Sequence, residues 1–419
     1  MKILVTGDAH LGRYPSRISD SSRELSVGQV WEASVDWAIG HKVDAVVLTG
    51  DMADNKNSYF EAYSVLKRGI DRLVDQAIPV YAVAGNHDFD VFPRLVEDLQ
   101  VEGVKLLGPR GSWSRAILHT ASGEEACLTG WSFPQSHFRA SPLDTFPVPN
   151  TDIPVIGVVH GDLDGGQSDY APLITSELQQ QPVAVWLLGH IHAPKWIPRP
   201  GAGILYPGSL QALDPGEPGP HGPWLITISQ GGKVTATQLP LATVRYETVE
   251  IDVSGLSDLD QIESGISRNL QRRTEVLSGN YPALRRVIYR PELTGKSRLY
   301  RAIKRQQWTQ LTHLEIESRE LRGTVDRITP NVTPYHDLAE ISGFSDPPGV
   351  LAQWLLDLKE ARIPDELRDR AVKAIRHVLR AKAYAPLGSH EPDPASVEQL
   401  LIEQGELLLD ELMSQKIHE

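Results

Sequence analysis

Asp8 and His10 stand one residue apart in Asp8-Ala9-His10, and His190 and His192 repeat that spacing in His190-Ile191-His192. Between them lie Asp51 after Gly50, the triplet Asn86-His87-Asp88 after Gly85, and His160 before Gly161. Carboxylate, amide and imidazole donors together are of intermediate softness, which suits manganese, iron or zinc better than calcium. Gathered around one point they could hold two divalent ions, with Asp51 giving one oxygen to each. Two ions roughly 3.5–4 Å apart clamp a phosphoryl group and prepare a water for in-line attack. In Asp-x-His and His-x-His the middle side chain turns away, so the outer two share one side. Any one of these elements alone is an ordinary polar strand end. The weight lies in having all of them, each after the same kind of segment.

That segment is a short apolar run. The runs are 2–10, 44–51, 79–88, 154–162 and 182–192, and each ends in glycine and polar residues. Continuous apolar runs of this length predict strands buried on both faces. In open α/β sheets the loops at the carboxyl ends of strands converge on one crevice. Residues 58–77 carry Tyr63, Leu66, Ile70 and Leu73 at helical spacing. The expectation is an α/β layered domain with a two-sheet core over 1–243, its Pro- and Gly-rich stretch 199–223 being loop. A smaller α+β domain is expected over 244–330, with a helix at 257–277, strands at 284–290 and 312–318, and a basic helix at 295–310. The segment 330–335 reads as a linker. A helical C-terminal region, 331–419, follows, with helical stretches at 336–384 and 396–416.

A length of 419 residues implies two or three domains. With 41% hydrophobic and 23% charged residues the chain reads as soluble and globular. The lone Cys127 excludes an internal disulfide and a thiolate zinc site, and fits a reducing compartment. The apolar run at the N-terminus is too short for a signal peptide and no later run approaches a membrane span, so a cytoplasmic chain without a membrane partner is expected. The formal net charge of −13 disfavours nucleic-acid binding unless charge is concentrated locally. It is concentrated at 283–308, where Arg285, Arg286, Arg290, Lys296, Arg298, Arg301, Lys304 and Arg305 face the single acid Glu292. Such a stretch can track a phosphate backbone without reading bases. It can equally be a solvated face, or pair with the acidic tail.

Asp8-Ala9-His10, Gly50-Asp51, Gly85-Asn86-His87-Asp88, His160-Gly161 and Gly189-His190-Ile191-His192 resemble the five motifs of the calcineurin-like metallophosphoesterases. The resemblance implies a two-sheet β-sandwich flanked by helices. It implies that Asp8, His10, Asp51 and His192 hold one ion, and Asp51, Asn86, His160 and His190 the other. His87 would be the acid near the leaving oxygen, with Asp88 orienting it. Protein phosphatases of this family carry Gly-Asp-x-x-Asp-Arg-Gly and Gly-Asn-His-Glu. Here Asp54 is followed by Asn55, and Asp88 replaces the Glu.

The wider context, including Tyr206-Pro207-Gly208-Ser209, is similar to the SbcD-type DNA repair exonucleases and YhaO-like proteins. That likeness implies a manganese-dependent exonuclease or endonuclease acting on DNA ends, with a small capping domain. It also implies an SbcC-like coiled-coil ATPase as partner, bound through a C-terminal helical segment, and leaves room for a homodimer. A phosphodiesterase or phosphatase for small nucleotides is the alternative. A non-catalytic DNA-end-binding subunit is disfavoured because no ligand position is vacant.

His119 and His137 lie off these motifs; the loop 131–142 around His137 could flank the cleft. Trp354, Leu355 and Leu358 have the spacing of a helix core face. In 396–416, Val397, Leu400, Leu401, Leu408 and Leu412 share one face, Ser396 is the expected cap, and 388–396 reads as a tether. A tethered apolar helix either docks on its own chain or grips another.

Overall fold

A computed structural model describes residues 1–18, 22–53, 59–99, 103–198, 202–360, 362, 365–379 and 393–416. Asp54, Asn55 and most of the expected tether lie outside the described residues. The chain forms two compact units. The first comprises Met1–Thr248, Gln271–Tyr289 and Glu315–Asp326; the second comprises Val249–Leu270, Arg290–Leu314 and Arg327–Glu419.

The first unit opens with β1 (Lys2–Thr6), α1 (Val27–His41), β2 (Ala45–Leu48), α2 (Tyr59–Asp75), β3 (Val80–Ala82), α3 (Val91–Leu99) and β4 (Val104–Leu106). It continues with β5 (Trp113–His119), β6 (Glu125–Trp131), β7 (Val155–His160), α4 (Thr175–Gln180), β8 (Val185–Gly189), β9 (Lys195–Ile197), β10 (Gly203–Tyr206), β11 (Trp224–Ile228) and β12 (Val234–Gln238). Two six-stranded sheets result, in the orders β12-β11-β1-β2-β3-β4 and β5-β6-β7-β8-β10-β9. Strands β1 to β4 run parallel, as do β6, β7, β8 and β10. Their carboxyl ends therefore lie side by side within each sheet.

The apolar runs are continuous because both strand faces are covered. Ile3, Val5, Ala45 and Val47 point between the sheets against Leu128, Ile156, Val158 and Leu187. Leu4, Val46 and Leu48 point outward against Trp31 and Val35 of α1 and Leu66, Ile70 and Leu73 of α2. Replacing any of those three α2 residues by Ala should cost about 2–5 kcal/mol. Trp31 seats on Gly69, where a Cβ would lie 2.2 Å from the indole nitrogen. Trp186, Leu188 and Leu178 cover the outer face of the second sheet. This is the expected mixed α/β arrangement of sheets flanked by helices.

The rest of the chain supplies β13 (Val244–Asp252), α5 (Leu259–Asn280), β14 (Arg286–Thr294), β15 (Lys296–Ser297), α6 (Tyr300–Arg305), α7 (Thr309–Thr312), β16 (Glu315–Ser318) and β17 (Leu321–Val325). Then come β18 (Thr329–Pro330), β19 (Thr333–Pro334), α8 (Leu338–Ile341), α9 (Pro347–Lys359), α10 (Asp365–Leu379) and α11 (Pro394–Lys416). In the second unit Leu338, Ile341, Ala352, Leu355 and Leu409 form a small core.

Five expectations need correcting here. The basic segment 295–310 is not one helix: Lys296 and Ser297 pair with Thr333 and Pro334, and only Tyr300–Arg305 and Thr309–Thr312 are helical. The supposed linker 330–335 contributes those pairing residues. Trp354 is 59% exposed, whereas Leu355 beside it is core. The buried face of α11 is Val397, Glu406 and Leu409, while Leu400 and Leu408 are exposed. The reason is Gly405, whose missing side chain admits Leu355; a Cβ there would lie 2.6 Å from Leu355 Cδ2. Asp393, not Ser396, caps α11, accepting from the Ser396 amide at 3.2 Å.

Candidate metal centre

The strand ends deliver the side chains. Asp8 and His10 follow β1, Asp51 follows β2, Asn86 follows β3, His160 ends β7, and His190 and His192 follow β8. The backbone leaves each strand abruptly: Asp8, His10 and Asp51 have φ of 45°, 45° and 51°. The left-handed conformation is uncommon for side chains with a Cβ, costs of order 1–3 kcal/mol, and clusters at functional sites. Glycines make the crowding tolerable. A Cβ on Gly85 would lie 2.2 Å from Asp51 Oδ1, and one on Gly189 would lie 2.5 Å from His160 Nδ1.

Two ligand groups result. Donor atoms of Asp8, His10 and His192 all lie within 4.8 Å of one another, as do those of Asp8, Asp51 and His160. His10 Nε2 and His192 Nε2 are 3.2 Å apart, His160 Nε2 and Asn86 Oδ1 3.1 Å, and His160 Nε2 and Asp51 Oδ2 3.3 Å. Two donors each about 2.1 Å from a shared ion are separated by such distances. The donor set therefore fits divalent cations. His10 Nδ1 is buried with no hydrogen-bond partner among the described residues. Asp8 belongs to both groups, whereas His190 is in neither, its ring lying 5.4 Å from that of His160. The His190 amide instead donates to both Asp8 oxygens, at 3.0 and 3.1 Å.

Half-buried His87 stands beside this cluster, its ring 5.1 Å from that of His10 and its amide donating to Asp51 Oδ1 at 2.8 Å. Asp88 is fully buried and accepts from the Gly85 and Met52 amides, both at 2.7 Å. It thus ties the loop after β2 to the loop after β3, a role the motif alone does not reveal.

Burial sets the electrostatics. It pushes the Asp8 carboxyl up to about 6 against the pull of His160 and His192. It pushes Asp88 up to about 7, helped by the charge of Asp51. For Asp51 burial acts upward too, but His160, with its charge and hydrogen bond, holds the carboxyl well below the ordinary range. His10 and His190 are driven by burial down to about 4, so both are neutral near pH 7, as metal ligands must be. His160 behaves oppositely. Burial disfavours its charge, but Asp51 and then Asp8 outweigh burial and raise it to about 9. A proton on Nε2, 3.3 Å from Asp51 Oδ2, would stand where a cation would be held, so proton and metal would compete for one place.

Three further residues, Glu217, Ser209 and His221, adjoin the cluster. Glu217 Oε1 accepts from His192 Nδ1 at 2.7 Å, and Ser209 links Glu217 to His221. Glu217 lies in a Pro- and Gly-rich stretch that announces only a turn. His137 stacks on Tyr170, and Tyr170 lies against His190, which brings the loop 131–142 toward the site. His119 instead pairs with Glu125 across β5 and β6 at 2.8 Å.

The basic segment is divided between the two units. In the first unit Arg285 pairs with Glu24 and Glu320, and Arg286 lies beside it in β14. In the second unit Lys296 pairs with Glu406, and Arg301 with Asp410 and Glu411, all on α11. Lys304 donates to the Pro330 carbonyl, and the Arg298 guanidinium lies over the Tyr335 ring. Exposed Arg298 and Arg305 have no acidic partner among the described residues; Arg290 lies in β14.

Residues 1–194 match the family described as Calcineurin-like phosphoesterase. The metallophosphoesterase YhaO of Bacillus subtilis is 29% identical over 210 residues, which are 47% of this chain and 48% of that protein. The DNA double-strand break repair protein Mre11 of Methanosarcina mazei is 25% identical over 284 residues, 66% of this chain and 44% of that protein. The chain thus spans about half the length, 48% and 44%, of these curated relatives. Among solved structures, the calcineurin-like phosphoesterase YfkN from Bacillus subtilis covers 65% of this chain and 97% of its own, at 11% identity and a TM-score of 0.35. No helix among the described residues is long and apolar enough to cross a membrane.

Proposed function

We propose, from the premise that residues 1–194 are a calcineurin-like metallophosphoesterase domain, that the chain is a manganese-dependent phosphodiesterase acting on DNA ends. The observation that carries the reading is the pair of ligand groups sharing Asp8, built from strand ends of both sheets. By resemblance to the family motifs, Asp8, His10, Asp51 and His192 would hold one ion, and Asp51, Asn86, His160 and His190 the other; the observed groups differ in sharing Asp8 and in leaving His190 out. Bound there, two divalent cations would supply Lewis acidity toward a phosphoryl group and acidify a water. Manganese suits the mixed oxygen and nitrogen donors, with iron or zinc as alternatives.

In the hydrolysis of a phosphodiester a water oxygen joins phosphorus and gives up a proton to solvent, the P–O bond to the leaving sugar oxygen breaks, and that oxygen needs a proton. His87 stands at the edge of the cluster, half-buried and open to substrate, and would donate it. Asp88 would support His87 by holding the backbone on either side of the cleft.

DNA is favoured as substrate by the likeness to a double-strand break repair protein over 66% of this chain. Arg285, Arg286, Arg290, Lys296, Arg298, Arg301, Lys304 and Arg305 are the candidate backbone contacts. Arg298 and Arg305 are the strongest of them, having no acid to release among the described residues. The competing reading, a small-nucleotide phosphodiesterase or phosphatase, draws on the ion pairs that already engage Arg285, Lys296 and Arg301. Cleavage of linear single- and double-stranded DNA should be compared with that of bis-p-nitrophenyl phosphate, with manganese and with chelator. Manganese-dependent DNA cleavage is the expected result. Turnover of the small ester with inert DNA would select the competing reading.

An SbcC-like coiled-coil ATPase is the proposed protein partner, taken up by the helices of 336–416. Exposed Trp354 lines a groove of about 350 Å³ with Leu358, Leu367 and the charged Asp357, Arg362, Glu366 and Arg370, which suits an amphipathic helix. Trp354→Glu should abolish co-purification with such an ATPase and leave ester cleavage intact; retained binding would remove this groove from the interface.

A further inference from the structure

His160 and His192 are both expected metal ligands, yet their second nitrogens meet different partners. His160 Nδ1 faces a neutral carbonyl, that of Thr49, at 3.0 Å. His192 Nδ1 faces a carboxylate, Glu217 Oε1, at 2.7 Å. Glu217 is itself held firmly. Its Oε2 accepts from Ser209 Oγ and from the Leu213 amide, both at 2.9 Å. Its backbone closes a turn, the Glu217 amide donating to the Asp214 carbonyl at 3.0 Å, while Asp214 Oδ1 takes the Gly216 amide at 2.7 Å. Ser209 is fully buried and is within hydrogen-bond distance of His221 Nδ1 at 3.0 Å. The side chain of Glu217 is 11% exposed, so little water competes for these bonds.

We propose that Glu217 is a positioning residue that holds the His192 ring with Nδ1 toward the carboxylate and Nε2 free for an ion, and so makes the two ion sites unequal. The inference rests on the reading of His192 as a ligand. Its physical basis is that the partner of a ligand imidazole fixes which nitrogen carries the proton and how basic the other is. A carboxylate makes Nε2 the better donor; a carbonyl does so less. Glu217 touches no reacting atom in this arrangement and acts only through His192. Removing it frees the ring to turn and leaves Nδ1 without its acceptor. Ser209 serves one step further out, fixing Glu217 through one of two bonds.

Manganese should be titrated calorimetrically into metal-free full-length protein, unmodified and carrying Glu217→Ala, Glu217→Gln or Ser209→Ala. The melting temperature of each metal-free form should be read alongside. In Glu217→Ala one of the two binding steps should weaken about 10- to 100-fold, the usual cost of losing such a partner, while the other stays within about twofold. Glu217→Gln keeps an acceptor for His192 but loses the charge and the Leu213 bond, so its loss should be smaller and on the same step. Ser209→Ala should change that step least, because the Leu213 amide still holds the carboxylate.

If Glu217→Ala lowers the melting temperature, the isosteric Gln variant decides. Unchanged affinity in it, or equal weakening of both steps, would overturn the inference by reducing Glu217 to a loop support. An unmodified protein that binds no manganese would instead overturn the metal-centre reading, and this inference with it.

Discussion

Gly85→Ala adds one methyl group, and the structure places that methyl against Asp51, the ligand proposed to serve both ions. The new Cβ would lie 2.2 Å from Asp51 Oδ1, 2.7 Å from Asp51 Cγ and 2.8 Å from the Asp51 amide nitrogen. Non-bonded carbons rest about 3.5–4.0 Å apart, so relief against Cγ alone needs a shift of roughly 1 Å. Neither neighbour can give way cheaply. The Gly85 amide is bound to Asp88, and the Asp51 carboxylate receives the His87 amide. Gly85 is not among the glycines with positive φ, so an Ala there meets no backbone strain and the clash is the whole effect.

Overpacking of this kind costs about 1–3 kcal/mol of stability. A displacement of about 1 Å in a catalytic group costs on the order of 10²-fold in rate. The variant should therefore stay folded, melt somewhat lower, bind manganese poorly and cleave bis-p-nitrophenyl phosphate about a hundredfold more slowly. Gly40→Ala is the control, because a Cβ at Gly40 in α1 meets nothing within 4 Å. It should keep full activity and lose no stability. A Gly85→Ala protein with two ions per chain and a rate within about threefold of the parent would refute the placement of Asp51 against this glycine.

His87→Ala should lose roughly 10²–10⁴-fold in rate with metal content unchanged, measured by elemental analysis beside steady-state kinetics; loss of metal along with rate would make His87 a ligand. The His160 proton, leaving near pH 9 in the metal-free protein, must be displaced by an ion, so apparent manganese affinity should rise from pH 7 toward 9. Because that value is raised, the His160–Asp51 pair stabilises the metal-free fold fully below about pH 6.5 and ceases to do so as pH rises through about 9. Melting curves across that window, with chelator, should show the decline, and a flat profile would contradict it. Arg298→Glu with Arg305→Glu should weaken DNA binding and flatten its salt dependence while leaving small-ester cleavage unchanged. Arg301 is best spared, since its ion pairs with Asp410 and Glu411 hold α11.

The proposed metal-binding side chains were legible in the sequence because their physical cause is local. A strand buried on both faces must be apolar throughout, so the first polar residues after it stand out, and parallel strands place those residues at one edge. Asp8, His10, Asp51, Asn86, His160, His190 and His192 all announce themselves this way. The partners of these residues do not, since a hydrogen bond between distant residues depends on the path of the chain and leaves no periodic trace. Glu217 reaches His192 only because the turn 214–217 folds back. Asp88 faces two backbone amides rather than standing as one more motif residue.

The charges of 283–308 could be counted, but not which of them α11 would neutralise; Lys296 and Arg301 meet acids more than a hundred positions away. On α11 itself leucines are too many for spacing to choose a face, and the choice fell to Gly405, where the absence of one side chain lets Leu355 approach.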